Sequence, residues 1–332
     1  MHYLAIFVAV LILSVLATGG VLAYLRHKAI LDHPNERSSH SIPTPRGGGI
    51  GMLIVILPAL VAINFFWEAP LVIAPFAVGG ALVLALLSWL DDLRDLGAGV
   101  RFAVQFICVG LCVFFLPPSE TGYIGGFMPV WLEKVLLVLG WVWFINLFNF
   151  MDGIDGISGV EIASIGAGLA LFGFVLHLGD SFILTALVLC ASALGFLKWN
   201  WHPAKVFMGD VGSIPIGFLL GWMLILLAGQ GFVLIAALIA LYYMVDATFT
   251  LIKRLLRGEK VWQAHREHFY QQATQKGLRH DQVVLRILAL NVVLIASAWV
   301  AYAVTLLGGL ALAILSVTVL LFHFKKGSQN DV

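Results

Sequence analysis

The sequence predicts an all-α protein that crosses a membrane about eleven times. Of its 332 residues, 61% are apolar and only 11% are charged, a composition far from that of a water-soluble domain. A spanning helix needs roughly 20 apolar residues, and polar or Gly/Pro-containing breaks separate apolar runs of about that length. We therefore expect one membrane-embedded domain over residues 1–332, with a large loop at 253–283.

Each expected span is one apolar run between two such breaks. The runs lie near residues 3–25, 48–66, 71–90, 101–117, 131–149, 158–177, 181–199, 212–228, 232–252, 284–305 and 309–324. No basic residue precedes the first run and no small-residue cleavage site is evident, so we interpret it as a retained span rather than a signal peptide.

The distribution of basic residues predicts the orientation. With the N-terminus placed outside, Lys134 is the only one of the 19 Lys and Arg residues that falls in an outer connection. Positive charge collects on the cytoplasmic side of membrane proteins. We therefore expect a periplasmic N-terminus and a cytoplasmic C-terminus in a bacterial inner membrane, with function in the longer, polar inner loops.

A first acidic cluster ends the third span. At a helical end Asp91 and Asp95 share one face, whereas Asp92 points about 100° away. Three carboxylates within one turn repel one another unless a cation holds them, so the group suits a divalent metal that carries phosphate oxygens. The alternative is a solvated helix end that pairs with Arg94 and Arg101.

A second cluster follows the fifth span, in the run from Asn146 to Gly156. It costs free energy to bring polar side chains such as Asn149, Asp152 and Asp155 to a membrane boundary. The intervening glycines would let a ligand approach the backbone closely. A polar turn with capping residues is the alternative.

The third cluster precedes the eighth span. Asp210 stands between Gly209 and Gly212, where it could reach a metal with little steric hindrance. We expect a helix to start near Ser213 and to offer its free N–H groups to an anion. An N-cap role for Asp210 is the alternative.

The large inner loop contains a histidine-rich run, from Trp262 to Gln272. As a short helix, this run would place His265, His268 and Gln272 on one side, a face able to bind a diphosphate or a sugar. The histidines could equally be surface residues. A zinc site is not expected there, because no cysteine or third ligand accompanies them.

The first inner loop offers basic residues and glycines. Arg37, His40 and Arg46 could bind phosphate, and the glycines of 47–49 would leave backbone N–H groups accessible. The loop has no P-loop pattern, and small residues that open a span often serve helix packing instead. Two further carboxylates, Glu161 and Asp246, fall inside spans; they are functional candidates or partners of neighbouring helices.

Together these clusters put carboxylates, amides, imidazoles and guanidinium groups on one side of the membrane. This set fits a soluble anionic substrate that meets a lipid substrate with a metal between them. A secondary transporter is a second possibility, although its coupling carboxylates would lie near the bilayer midplane. A non-catalytic membrane scaffold is a third.

Four ordered motifs resemble the polyprenyl-phosphate N-acetylhexosamine-1-phosphate transferase family. They are Ser88-Trp-Leu-Asp91-Asp92-Leu-Arg-Asp95, Asn149-Phe-Met-Asp152-Gly-Ile-Asp155-Gly156, Phe207-Met-Gly-Asp210-Val-Gly-Ser213 and the His-containing inner loop. Within the family, Asp95 and the run from Asp32 to His40 look more like the branch that initiates O-antigen and other surface polysaccharides than like the phospho-MurNAc-pentapeptide transferases.

The resemblance implies a reaction and its partners. An undecaprenyl phosphate in the bilayer would attack a UDP-N-acetylhexosamine and release UMP, with Mg²⁺ as cofactor and Mn²⁺ as a substitute ion. This would be the first membrane step of surface glycan synthesis, with peptidoglycan synthesis as the alternative. No nucleic acid partner is implied, and a homodimer is compatible with the resemblance.

The resemblance also implies residue roles. Asp91, Asp92, Asp152 and Asp155 would be catalytic, with Asp91 or Asp92 at the lipid phosphate, and Asp210 with Asp152 would bind the metal. The substrate-binding set would be Asn149, Arg37, His40, Arg46, His265, Arg266, His268 and Asp95. Where many members carry a His-x-His-His run, this chain has His268-Phe-Tyr270-Gln271, which suggests a different sugar pocket, as in members that use N-acetylated deoxysugars.

Overall fold

The protein is built from helices packed side by side. The computed structural model describes residues 2–32, 42–67, 74–94, 96–260 and 265–327. In these ranges the only strands are two-residue segments, β1 (Leu31–Asp32) and β2 (Thr44–Pro45), which pair antiparallel. The predicted all-α membrane class is confirmed.

Thirteen α-helices occur in the described ranges, several of them shorter than a membrane span. In chain order they are α1 (His2–His27), α2 (Gly49–Phe66), α3 (Ala74–Arg94), α4 (Ala98–Phe114), α5 (Val130–Phe150), α6 (Ile157–Val175), α7 (Asp180–Asn200), α8 (Asp210–Leu227), α9 (Val233–Ile239), α10 (Leu241–Leu256), α11 (Phe269–Gln275), α12 (His280–Ala303) and α13 (Leu306–Lys326).

Within the described residues, nine helical stretches are long and apolar enough to cross a membrane, and α4 is a shorter apolar helix. The predicted ninth span, 232–252, is broken. A π-helical turn at Ala228–Phe232 leads into α9, and the chain leaves helical geometry at Ala240 before α10 begins. Because α10 carries Asp246 and a basic last turn, it departs from a uniformly apolar span. The count of eleven stays a prediction.

The interior of the bundle is formed by α6, α7 and α8. Most residues of these three helices are buried, and α8 packs against both α3 and α5. The outer helices instead expose apolar side chains such as Leu4 at 70% and Phe66 at 81%. An apolar surface of this extent suits contact with lipid rather than water.

Two glycines let α2 and α8 touch at their first turns. A Cβ built on Gly49 would lie 2.3 Å from Cα of Gly212, so no larger residue fits there without displacing a helix. Small residues allow such close approach of membrane helices. The contact brings the loop before α2 next to the loop before α8.

Candidate active site

Backbone hydrogen bonds fix the loop before α2 against the loop before α8. Arg46 and Phe207 form a parallel β-bridge. The N–H groups of Gly47 and Gly48 donate to the carbonyl of Phe207, and that of Gly49 donates to Met208. The expectation that these glycine N–H groups are free for phosphate is therefore wrong, because the neighbouring loop already satisfies them.

The bridge places Arg46 against Asp210. Arg46 Nη2 donates to Asp210 Oδ1 at 2.5 Å, with the guanidinium half-exposed and the carboxylate 21% exposed. Asp210 occupies the first turn of α8, after Gly209 with φ +74°. The expected helix start near Ser213 is wrong by three residues, because the N–H groups of Gly212 and Ser213 already donate to the Gly209 carbonyl.

Several carboxylates surround this guanidinium. Partial burial acts to lower the pKa of Arg46, but the charges of Asp210, Asp92 and Asp32 outweigh it and raise the pKa. The side chain is therefore a permanent cation. Asp32 belongs to β1; it begins the run from Asp32 to His40, but the sequence alone predicts no site role for it.

The two neighbouring aspartates of the first motif have different environments. Asp91 accepts from the Leu96 backbone N–H at 2.7 Å and from Arg101 Nη1 at 3.0 Å. Asp92 is exposed and interacts electrostatically with Arg46. The structure thus gives Asp91 the helix-end pairing with Arg101 and leaves Asp92 facing the central cluster.

The turn after α5 supplies Asn149 and Asp152 to the same cluster. Ser213 Oγ donates to Asn149 Oδ1 at 2.6 Å, and Ser158 Oγ donates to Asp152 Oδ1 at 2.7 Å. Burial raises the pKa of Asp152 to about 6, with a further rise from the Asp210 charge and opposing contributions from Ser158 and Arg46. Asp152 therefore lies within the field of the Arg46–Asp210 pair.

Asp155 lies in a separate cluster. Its Oδ2 is 2.6 Å from His202 Nδ1 and 3.3 Å from His280 Nδ1, and it accepts from the Ala204 backbone N–H at 3.2 Å. Burial acts to raise the pKa of Asp155, but the two histidines and Ala204 outweigh it and lower the pKa. The predicted grouping of Asp155 with Asp152 in one reacting set is not what the structure shows.

The histidine-rich loop closes over the turn after α5. A Cβ on Gly153 would lie 2.2 Å from Tyr270 Oη and 3.1 Å from Gln271 Nε2, and Tyr270 Oη donates to the Phe150 carbonyl at 3.3 Å. Tyr270 and Gln271 stand in the His268-Phe-Tyr270-Gln271 run that departs from the family pattern. These two side chains therefore contact the second motif directly.

The two histidines of this loop are not on one helical face, so that expectation is wrong. α11 begins only at Phe269, and both His265 and His268 precede it with their rings 4.7 Å apart. His268 is buried. Burial, with the charges of His268, Arg254 and Arg257, lowers the pKa of His265 to about 3, so its ring is neutral at physiological pH.

Both membrane-depth carboxylates pair with neighbouring elements. Asp246 is fully buried and accepts from the Phe269 and Tyr270 backbone N–H groups at 2.9 and 3.3 Å, which ties α10 to the start of α11. Glu161 accepts from Asn291 Nδ2 at 2.7 Å. Neither side chain reaches the Arg46–Asp210 pair.

Some predicted positions lie outside the described residues, namely Arg37, His40 and Asp95. Of the remaining predicted residues, Arg46, Asp92, Asp152 and Asp210 are brought together, with Asn149 beside them. Arg266 stays in the histidine-rich loop, where its carbonyl accepts from Gln275 Nε2 at 2.7 Å. His202 and His280 were missed as a pair, because they are 78 positions apart and share no motif.

The central cluster has the composition of a site for a hard divalent cation. Four carboxylates, those of Asp32, Asp92, Asp152 and Asp210, surround the single guanidinium of Arg46. The four carboxylates offer oxygen ligands, which Mg²⁺ prefers. The four negative charges exceed the one positive charge of Arg46 in this cluster, so the residues present fit a magnesium ion.

Two apolar grooves open on the lipid side near this cluster. One, of about 970 Å³, runs between α2 and α3 and reaches Trp89 and Val211. The other, of about 710 Å³, lies between α4, α5 and α10 and reaches Asn146 and Phe150. Either could hold a hydrocarbon chain whose polar head reaches the carboxylates.

Comparison with known proteins finds a matching family model and similar sequences. A sequence model of glycosyl transferase family 4 matches residues 74–228, the stretch from α3 to α8 that carries three of the four motifs. The probable undecaprenyl-phosphate N-acetylglucosaminyl 1-phosphate transferase of Bacillus subtilis strain 168 is 29% identical over 294 residues, 83% of this chain and 78% of the relative.

Two further relatives have related activities. A decaprenyl-phosphate N-acetylglucosaminephosphotransferase of Mycobacterium leprae is 27% identical over 314 residues, 83% of this chain and 78% of the relative. A phospho-N-acetylmuramoyl-pentapeptide-transferase of Wolbachia from Brugia malayi is 27% identical over 278 residues, 75% of this chain and 82% of the relative.

The helical bundle and these relatives define a multi-pass membrane enzyme that transfers a sugar phosphate. The match to glycosyl transferase family 4 and the similarity to these relatives support the polyprenyl-phosphate hexosamine-1-phosphate transferase family. The family that the motifs predicted is confirmed.

Proposed function

We propose that this protein transfers an N-acetylated hexosamine 1-phosphate from a UDP-sugar to undecaprenyl phosphate and releases UMP. The reaction takes place at the cytoplasmic face of a bacterial inner membrane. It is the first membrane step in the synthesis of a surface glycan of the O-antigen type.

The observation that carries the proposal is the convergence of four carboxylates and one guanidinium beside two apolar grooves. Asp92, Asp152 and Asp210 come from three different motifs, and each interacts electrostatically with Arg46 of the first inner loop. A lipid phosphate and a nucleotide diphosphate both require cationic neutralisation, and the hydrocarbon of the lipid requires an apolar path. Arg46 and an ion held by the carboxylates would supply the positive charge, and the grooves would supply the apolar path.

Asp210 and Asp152 would hold Mg²⁺, with Asp92 and Asp32 near enough to add charge. When bound, the ion would neutralise phosphate oxygens and so let two anionic substrates approach each other. Mn²⁺ would substitute, because it accepts the same oxygen ligands.

Asp92 is the residue of the first motif that we assign to the acceptor. It is exposed, whereas both carboxylate oxygens of Asp91 are engaged. A phosphate monoester loses its second proton near a pKa of about 6, so the lipid phosphate needs no strong base. The role of Asp92 is therefore to orient the acceptor phosphate rather than to form a covalent aspartyl-phosphate.

In the transfer, an oxygen of the lipid phosphate forms a bond to the β-phosphorus of the UDP-sugar. The bond from that phosphorus to the oxygen bridging the α-phosphorus breaks, and UMP leaves with this oxygen and its electron pair. Little covalent work falls to the protein in such a step, so positioning and charge stabilisation dominate. Arg46 supplies a fixed positive charge, and Asn149 is oriented by Ser213.

The donor sugar would face the histidine-rich loop, with Tyr270 and Gln271 nearest to the turn after α5. We propose a UDP-N-acetylhexosamine, including its deoxy forms, as the donor. The reason is that the Tyr270 side chain packed against Gly153 and the amide of Gln271 distinguish this chain from a His-x-His-His loop. Transfer of phospho-MurNAc-pentapeptide is the second candidate, favoured by the Wolbachia relative.

The test is a donor panel. Purified protein is incubated with undecaprenyl phosphate, Mg²⁺ and one UDP-sugar at a time, including UDP-GlcNAc, UDP-GalNAc, their 6-deoxy analogues and UDP-MurNAc-pentapeptide, and the lipid product is identified by mass spectrometry. We expect a lipid-linked N-acetylhexosamine diphosphate. A product from UDP-MurNAc-pentapeptide alone would assign the second candidate. Vesicle uptake of a UDP-sugar without any lipid product would favour a transporter.

A further inference from the structure

We propose that Asp155, His202 and His280 form a second metal site, one that binds a transition-metal ion such as Zn²⁺ or Co²⁺. The inference stands on these three residues alone and does not rest on the proposed transfer reaction. The site would join three elements of the same membrane face: the turn before α6, the loop after α7 and the first turn of α12.

The geometry places three ligand atoms around one point. One ring nitrogen of His202, one ring nitrogen of His280 and a carboxylate oxygen of Asp155 all lie within 4.8 Å of one another. Bonds of 2.0–2.2 Å to a tetrahedral ion would hold such atoms about 3.3 Å apart. The His280–Asp155 separation is 3.3 Å already, and the His202–Asp155 separation of 2.6 Å is that of a hydrogen bond, so His202 must retract by less than 1 Å.

Both histidines turn a ring nitrogen towards the Asp155 carboxylate. His280 Nδ1 lies 3.3 Å from the Asp155 backbone nitrogen and 3.3 Å from Asp155 Oδ2, so it faces the position that an ion would occupy. A proton shared between His202 Nδ1 and Asp155 Oδ2 is the group that a metal ion would replace. The reaction is a simple exchange: the ion binds, and that proton is released to solvent.

The burial suits a site that is closed on one side and open on the other. The side chains of Asp155 and His280 are 8% and 12% exposed, whereas His202 is 32% exposed. His202 therefore provides the entry path. The rings of His202 and His280 lie 5.2 Å apart, and the Nδ1 atoms of both rings lie close to the Asp155 carboxylate.

The ligand chemistry separates this site from the central cluster. Two imidazoles and one carboxylate favour Zn²⁺, Co²⁺ or Ni²⁺, whereas an all-carboxylate set favours Mg²⁺. Asp155 lies three residues after Asp152, so an ion at the second site would also fix the turn that supplies Asp152 to the first. The two sites are thus adjacent but select different ions.

The test is Co²⁺ binding to the full-length protein, purified with an affinity tag that contains no histidine and stripped with a chelator. We expect one Co²⁺ per chain, seen as visible d–d absorption, that excess Mg²⁺ does not displace. His202→Gln and His280→Gln should each weaken binding at least about 10-fold, whereas Asp210→Asn should bind Co²⁺ as wild type does.

Two results would overturn the proposal. The first is the absence of saturable Co²⁺ absorption in the wild-type protein. The second is binding that His202→Gln leaves unchanged, or that Asp210→Asn abolishes, since the ion would then occupy the central cluster. Because wild-type protein alone decides the first result, a folding defect in either histidine variant does not leave the proposal untested.

Discussion

Arg46 and Asp210 are 164 positions apart in the chain and form an ion pair with a 2.5 Å contact at the starts of two adjacent helices. The pair exists because Gly49 and Gly212 allow α2 and α8 to touch. It defines the centre around which the other carboxylates gather.

Replacement of Arg46 by Gln should affect substrate and metal in opposite directions. Loss of the fixed positive charge weakens donor binding, so the KM for the UDP-sugar should rise about 10-fold or more. Asp210 is no longer neutralised, so the Mg²⁺ concentration for half-maximal rate should fall. Steady-state titrations of donor and Mg²⁺ measure both quantities. Unchanged values of both constants would show that the pair plays no part in the site.

Asp91 and Asp92 should differ in their contribution to the rate. Asp92→Asn removes a charge from the central cluster, and we expect kcat to fall at least about 100-fold. Asp91→Asn perturbs only a partly exposed pair with Arg101 and a backbone contact, so its rate should change less than about fivefold. Glu120→Gln, an exposed position away from the cluster, is the control. Equal losses in the two Asp variants would contradict the assignment.

The contact between α2 and α8 should not tolerate a methyl group. Gly49→Ala would push a Cβ to 2.3 Å from Gly212, and overpacking of this kind costs about 1–3 kcal/mol. We expect a lower melting temperature in detergent and a lower transfer rate. Gly79→Ala is the matched control, since a Cβ there meets nothing within 4 Å. If both variants melt alike, the close approach is not needed.

Asp152 should make the stability of the metal-free protein depend on pH. Its pKa is raised to about 6, so the folded state favours the neutral carboxyl. The stabilisation is complete below the unfolded pKa near 4 and is lost as the pH rises through about 6. Asp152→Asn does not lose this stabilisation. Its free energy of unfolding should therefore rise relative to that of wild type by on the order of 1–3 kcal/mol between about pH 4 and pH 7.

Melting curves in a chelating buffer test this prediction, and added Mg²⁺ should reduce the difference between the two proteins at pH 7. A melting-temperature difference that stays constant from pH 4 to pH 7 would contradict the shifted pKa.

Asp246 should stabilise the histidine-rich loop. Asp246→Ala leaves the Phe269 and Tyr270 N–H groups without their acceptor, at a cost of about 1–3 kcal/mol for each buried group. Asp246→Asn keeps one acceptor oxygen and should cost less. Thr250→Val is the control, because it removes only a 3.4 Å contact to the same carboxylate. The melting temperature and kcat/KM report the change, and wild-type values in Asp246→Ala would refute the role.

Much of the site could be predicted from the sequence, because its residues sit in short motifs at the ends of apolar runs. Asp92, Asp152 and Asp210 were singled out by polar clustering at a membrane boundary, where unpaired charge is expensive. The fold class followed from composition and run length alone. The residues of the central cluster could therefore be predicted from their local sequence.

The partnerships between motifs could not be predicted, since they depend on which loops touch. The backbone N–H groups of residues 47–49 donate to the carbonyls of Phe207 and Met208 instead of to phosphate, and Asp155 turns towards His202 and His280 rather than towards Asp152. The break between α9 and α10 was missed because the apolar run continues across Ala240. Pairing across more than 40 positions leaves no signal in a single sequence.

The central claim is that the carboxylate cluster transfers a sugar phosphate to a lipid phosphate. UMP release by the purified protein, with undecaprenyl phosphate and the UDP-sugar that the donor panel selects, tests it most directly. We predict release that requires the lipid acceptor, stops on addition of a chelator and is lost in Asp210→Asn but kept in Glu120→Gln. No UMP with any donor, or release that is indifferent to the chelator and to Asp210→Asn, would contradict the claim.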